Sequence, residues 1–444
     1  MDRKRRVKSG MFSSRTALAA LLALGVVGGA VITPVPAEAA KKKKSKAPKL
    51  SFSKGFVAVA APAQQAIDAI AEGDAASASA ARAALAQAVS AIESEDDRYM
   101  AGSLTVKMGN QTKDAAQQRA GLKMMLASGK TNPSNAPRLN AAAGDMAFRA
   151  QDYKEAQHYL QQAVDGGYPD AGVTVMLGES FIADNQVSKG VGILKDAIAG
   201  QKATGQVAPE SWYKRGMASA FRVRMISEAS EFGNLLVTDY PSPKNVGLAV
   251  TIIRELGNFG SQETLDLMRL MGRTNSYTEQ RDYVEYIQAA DPRRLPGETM
   301  DVINAGLASG KLNSSDAFVA DARAQASGRI ASDKASLSGY ARDARKPGSK
   351  AATVSGAADA LLSYGENAAA EELFTIALTK PGIDINQSLT RLGIAQVAQG
   401  KYGQAQTTFA KVTGIRSPIS KLWSAYASSK ATPTPAAATV TAAE

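Results

Sequence analysis

Cysteine is absent from the 444 residues, and histidine occurs once, at His158. The first absence excludes disulfides, thiolate metal sites, cysteine nucleophiles and lipid attachment at cysteine. The second excludes a histidine-rich zinc site and leaves His158 as the sole imidazole for a Ser–His–Asp arrangement. No Gly-x-Ser-x-Gly occurs, and the nearest fragment, Gly178-Glu179-Ser180, lacks the closing glycine. Aromatic residues make up only 6% of the chain. No long stretch alternates apolar and polar residues with β-branched side chains, so strands are not expected. What is abundant is alanine, which dominates a hydrophobic fraction of 45%. Small residues suit closely stacked helices better than a thick globular core. The expected fold class is all-α.

Acidic residues are also missing from one place. Residues 40–54 hold seven lysines and no acid, and residues 1–39 hold six basic residues and two acidic ones. Without these two segments the chain retains 39 basic and 39 acidic residues, so the net charge of +11 belongs to its start. A nucleic-acid partner is therefore not expected, since it wants a basic face on the folded body. Arg3, Lys4, Arg5, Arg6 and Lys8 precede an apolar run from Ala17 to Ile32, and Ala37-Glu38-Ala39 has a small-x-small cleavage pattern. The run is short for a span of about 20 residues. Residues 1–39 are read as a signal peptide cleaved near Ala39, with no membrane-spanning segment left afterwards and a periplasmic location. Residues 40–54 are read as a disordered lysine-rich linker. Lys41 to Lys49 offer weak, salt-sensitive attraction to an anionic surface.

The organising stretch is Pro137 to Gly178. Leu139, Ala143, Gly144 and Phe148 mark one helix. Gln151-Asp152-Tyr153 marks a turn. Ala156, Leu160 and Ala163 share one face of a second helix. Gly166-Gly167 ends it, and Tyr168-Pro169-Asp170 starts the next. Gly178 then repeats Gly144. This pattern resembles the tetratricopeptide repeat, a helix-turn-helix unit of about 34 residues. Further units resemble it at Leu177, Gly178, Phe181, Leu194 and Ala197, with Gly190 where alanine is usual. Trp212, Gly216, Phe232 and Pro241 mark another, with Glu228 in place of a small residue. Ala358, Gly365, Ala370, Phe374 and Ala377 form a fourth, and Leu392, Gly393, Gly400, Tyr402, Ala405, Phe409 and Pro418 a fifth. The resemblance implies a superhelical solenoid of stacked antiparallel helix pairs.

The remaining boundaries follow from composition and punctuation. Residues 55–136 read as degenerate helical repeats, 137–242 as clear repeats, 243–350 as degenerate repeats, 351–430 as clear repeats, and 431–444 as a disordered Pro/Ala/Thr tail. Asp291 to Gly297 is the strongest internal break, either a division between two blocks or a long loop. Residues 326–350, with Gly328, Gly339, Pro347 and Gly348, are expected to loop out.

Chemistry has few candidates. Gly129-Lys130-Thr131 resembles the end of a phosphate loop, but Met124 stands where a glycine is needed and a helix precedes it. It and Gly310-Lys311 read as helix stops. Carboxylates cluster at Glu93, Glu95, Asp96 and Asp97 and at Glu371 and Glu372. Glycoside hydrolysis needs two such groups about 5–10 Å apart across a cleft, and Ser94 to Asp97 reads instead as a helix start. No catalytic residue, cofactor or metal is expected. The family resemblance implies a concave groove lined by first helices, here Arg138, Asp145, Phe148, Arg149, Glu179, Ile182, Tyr213, Met217 and Phe221. The clamp that grips C-terminal carboxylates in chaperone-binding members is not reproduced, because Ala141 and Asp145 occupy its places. The expected function is a non-catalytic scaffold that binds a protein or peptide in the envelope of a Gram-negative bacterium. Two alternatives are a polysaccharide-binding or export accessory and a carboxylate-dependent enzyme of cell-wall glycans.

Overall fold

The computed structural model describes residues 50–431. The leader, the lysine run at 41–49 and the tail from 432 onward lie outside the described residues. Twenty α-helices and no strand are found among the described residues. The first nine are α1 (Lys54–Asp68), α2 (Ala75–Ser90), α3 (Glu95–Thr112), α4 (Ala115–Ala127), α5 (Ala136–Arg149), α6 (Tyr153–Asp165), α7 (Ala171–Ala183), α8 (Val187–Ala203) and α9 (Glu210–Arg222). There follow α10 (Ile226–Asp239), α11 (Pro243–Leu256), α12 (Ser261–Thr274), α13 (Gln280–Ala290), α14 (Pro296–Ala308) and α15 (Ala317–Ala344). The last five are α16 (Ala351–Ser363), α17 (Asn367–Ala377), α18 (Ile385–Ala398), α19 (Tyr402–Phe409) and α20 (Ser417–Ala431). Each helix packs on the one before it, which is the arrangement of a helical-repeat solenoid.

Local chemistry explains where helices begin. Asp74, Asp114, Asp152, Asp170, Asp316 and Asp384 each accept a backbone N–H of the following turn. Ser94 and Asp97 form a capping box on α3. The turn within a pair repeats one geometry. Gln151, Asn185, Arg224, Gly365 and Gly400 take left-handed backbone with φ between 59° and 78°. The next N–H then returns to a carbonyl five residues back, as from Asp152 to Ala147 at 3.0 Å and from Lys401 to Gln396 at 2.9 Å. Those bonds satisfy carbonyls that the helix end leaves open.

Pairs pack through glycine. A Cβ on Gly144 would lie 2.6 Å from Leu160, on Gly216 2.2 Å from the Phe232 ring, and on Gly393 2.4 Å from the Phe409 ring. The contact joins residues sixteen apart each time, so the large side chain of the second helix rests on bare backbone of the first. At the second unit Gly190 meets the Gly178 carbonyl and Ile182, where alanine would clash. At the third, Glu228 is half-buried, and its neighbour Ala229 supplies the small buried residue. Ala156 is fully buried between α5 and α6. Ala156→Leu is expected to overpack that pair at a cost of about 1–3 kcal/mol. An unchanged urea midpoint would remove Ala156 from the contact.

Two expectations are corrected and one open alternative is decided. Residues 50–53 are not free linker: the Ser51 N–H donates to Asp96 at 2.7 Å and the Ser53 N–H to Asp97 at 3.0 Å, and Phe52 packs on the first core cluster. Residues 326–344 do not loop out but continue α15, which runs for 28 residues. Gly328 and Gly339 are tolerated at about 1 kcal/mol each, and the helix ends only before Lys346-Pro347-Gly348. Asp291 to Leu295 form a short connection between α13 and α14, which pack on each other, so no block division falls there.

The C-terminal helix does more than end the stack. Besides α19, it packs along α10 and touches α11, α12 and α18. Helices α10 to α20 therefore close on themselves, while α1 to α9 form an open run. One apolar cluster extends from Val175 to Ala427 through this closed block. Smaller clusters serve α1–α3 and α5–α7.

Candidate functional site

The groove residues divide on burial. Asp145 and Arg149 pair on α5 at 2.9 Å, with Arg149 exposed. Arg138 on the same helix is half-buried. Phe148 is half-buried, and its ring meets Tyr153 edge-on at 5.8 Å. Glu179 on α7 pairs with Arg215 on α9, Ile182 leans on the main core, and Phe221 is 38% exposed. Tyr213 and Met217 do not face a groove and are corrected to core, being 0% and 1% exposed. The Tyr213 hydroxyl donates to Asp239 at 2.6 Å, and its ring abuts Tyr240 at 5.8 Å. Burial, and then the Asp239 charge, push that phenol well above its usual range. Its partners lie on the other helix of the pair, which spacing along α9 does not reveal.

The carboxylate clusters are structural. Asp97 accepts the N–H groups of Ser53 and Ser94 at 3.0 Å each. Burial raises its pKa, but these hydrogen bonds outweigh it and the carboxyl is held below the ordinary value. Asp96 meets Lys130 at 2.9 Å, so the lysine of the phosphate-loop fragment is already engaged. Glu371 pairs with Lys401 at 2.6 Å, and Glu372 takes both arms of Arg345 at 2.7 Å. His158 is exposed, and its ring lies beside Gln162 and Tyr159. Among the described residues no group of three or more His, Asp or Glu side chains is placed to hold a metal.

A buried charge network lies inside the closed block. Arg269 of α12 forks onto Glu298 of α14 with both bonds at 2.8 Å. The same guanidinium reaches Asp266 at 3.2 Å and Asp359 of α16 at 3.3 Å. Arg391 of α18 donates to Asp266 at 2.9 Å and Asp359 at 2.7 Å. Arg416, just before α20, pairs with Asp266 and meets Glu263 at 2.9 Å. The Tyr286 hydroxyl donates to Glu298 at 2.8 Å, and the Trp423 indole N–H to the Asp266 carbonyl at 2.8 Å. Burial alone would push Asp359 up, yet Arg391, Arg269 and Arg294 hold it below its ordinary value. Sequence reasoning missed this network. Its one visible signal is that Asp266 and Arg269 interrupt an apolar run of Leu265, Leu267, Met268, Leu270 and Met271.

Beside the network opens a cleft of about 560 Å³, bordered by Arg273, Tyr277, Glu298, Asp301, Tyr364 and Trp423. Burial and the Glu298 charge push the Asp301 carboxyl up. Both oxygens of Glu298 are held by Arg269, and Tyr286 adds a third bond.

No family model matches this sequence, and no curated protein does. Similar solved structures include a tetratricopeptide repeat protein from Parabacteroides merdae, at 11% identity over 67% of this chain and 99% of that one, with a TM-score of 0.30. Another is the TPR2AB domain of yeast Sti1 in its pHSP90 complex, at 14% identity over 67% and 99% of the two chains, with a TM-score of 0.25. A third is the human IFIT1 dimer with PPP-AAAA, at 13% identity over 82% and 95%, with a TM-score of 0.22. The repeated glycine contact and turn geometry define this chain's fold as a tetratricopeptide-like helical repeat. Among the described residues no helix is long and apolar enough to cross a membrane.

Proposed function

We propose that this chain is a protein-binding scaffold of the bacterial cell envelope, acting without chemistry of its own. One contrast carries the reading. In the closed block the inward charges Arg269, Glu298, Asp359 and Arg391 are consumed by one another. In the open run, Asp145 and Glu179 follow Gly144 and Gly178 as Asp359 follows Ala358, yet they stay half-buried and pair with the more exposed Arg149 and Arg215. The open run thus carries charged pairs as well as the partly exposed Phe148 and Phe221, the residue types of a protein interface with aromatic anchors and a polar surround. The leader directs export to the periplasm, and Lys41 to Lys49 add loose attraction to anionic surface.

Photo-crosslinking in the native envelope tests this, with the probe at Phe221 and a control at His158, which is exposed on α6. A discrete adduct from Phe221 alone supports docking on the open run. Equal labelling from both positions, or none, discards it. The cleft at Tyr277, Asp301 and Tyr364 favours a second reading, glycan binding by the folded body. That reading requires retention on envelope glycan at high salt, which the lysine run would not provide.

A further inference from the structure

Helix α15 is twice the length of its neighbours, and its middle does not pack fully. Val319, Ala322 and Ala326 are buried near one end, and Ala341 and Ala344 near the other. Between 326 and 341 no side chain of this helix is fully buried. Beneath that stretch, against α14 and α16, lies a cleft of about 520 Å³.

The lining is rich in donors. Arg293, Arg294 and Arg329 border the cleft, with Ser332, Ser336 and Tyr340. Their charges are poorly matched. Arg293 donates to the neutral Gln325 at 3.0 Å. Arg294 bonds Gln262 at 2.7 Å and lies 3.8 Å from Asp359, a carboxylate already shared by Arg269 and Arg391. Arg329 pairs with no carboxylate among the described residues. Two acids also line the cleft, but Asp343 is paired with Lys346 at 2.7 Å and Asp333 accepts the Tyr364 hydroxyl at 2.9 Å. Burial lowers the proton affinity of the Arg294 guanidinium, and Asp359 does not restore it against Arg391 and Arg269. With 36% of its side chain still accessible, this guanidinium can be reached by an added anion and gains from it.

We infer that the cleft under α15 binds a small polyhydroxylated anion, a sugar carrying a carboxylate or phosphate, gripped by Arg329, Arg293 and Arg294. Guanidinium forks match the two oxygens of either group. The serine hydroxyls serve the sugar hydroxyls, and Tyr340, 42% exposed, offers a ring face to the sugar. Gly356 on the floor has open space where a Cβ would be.

Titration calorimetry on the leader-free chain tests this with glucuronate, glucose 6-phosphate and glucose. One or both anions should bind, and glucose should bind at least about tenfold more weakly, the share of one charge-assisted bond. Preference between the anions names the acidic group. Arg329→Gln should weaken the anion by about tenfold or more, while Arg323→Gln, exposed on the same helix outside the cleft, should not. Gly356→Leu should block binding by filling the floor while leaving every charge in place. Three results overturn the inference: no anion binding below about 1 mM, glucose binding equally well, or unchanged affinity in both Arg329→Gln and Gly356→Leu.

Discussion

Arg269→Met is expected to lower the unfolding free energy by about 3–5 kcal/mol, the scale for removing one partner of a buried ion pair. The guanidinium is 6% exposed and serves three carboxylates, Glu298, Asp266 and Asp359. Without it, Asp266 and Asp359 keep Arg391, but Glu298 retains only the Tyr286 hydroxyl. Arg269→Lys should lose less, because an ammonium keeps the charge but not the fork. Arg149→Met, which breaks an exposed pair on α5, should cost under about 1 kcal/mol. Urea unfolding of the three variants reads these differences, and equal midpoints for Arg269→Met and Arg149→Met would remove the network as a stabilising element. The acid side adds a second check. Asp359 is held below its ordinary value, so its contribution is full above the unfolded carboxyl value of about 4 and is lost as pH falls through the folded one. Removing Arg269 raises the Asp359 pKa, so the acid transition of the methionine variant should begin at higher pH than that of the parent.

Trp423→Ala is expected to cost about 3–5 kcal/mol as well, from lost burial and the cavity left behind. Trp423 is 1% exposed, stacks on Phe409 at 6.3 Å and meets Tyr426 edge-on at the same distance. It is also the point where α20 holds α12, through the bond to the Asp266 carbonyl. Trp423→Phe keeps most of the apolar contact but removes that carbonyl's second donor beyond its helical bond, at about 0.5–1.5 kcal/mol. Amide hydrogen exchange locates the effect. Protection should fall in α10 to α20 and persist in α1 to α8. A uniform loss would mean that closure by α20 does not define a separate cooperative unit. Arg269 and Trp423 both act through Asp266, so the double variant should fall short of the summed losses.

Much of this molecule was legible in its residues. Pro137 to Gly178 showed the helix pair, and Gly144, Gly216 and Gly393 marked where second helices seat Leu160, Phe232 and Phe409. Ser94 to Asp97 read as a helix start and is one. Such features are local: caps, stops and periodicity depend on residues a few positions apart. The misses share the opposite cause. Tyr213 and Met217 were placed in a groove because their helix positions suited it, but both are buried, Tyr213 against Asp239 and Tyr240 at the end of the next helix. Gly328 and Gly339 suggested a loop, yet two packed ends carry α15 through them.

What the sequence determined by itself was the unit: alanine- and glycine-rich helices that cannot bury their faces alone and must stack. What only the tertiary structure decided was how far the stack curls. Whether α20 reaches α10 and α12 depends on small angles accumulated over many pairs, and no single pair encodes the sum. That closure turns Asp266, Arg269, Asp359 and Arg391 from helix-face charges into a buried lock.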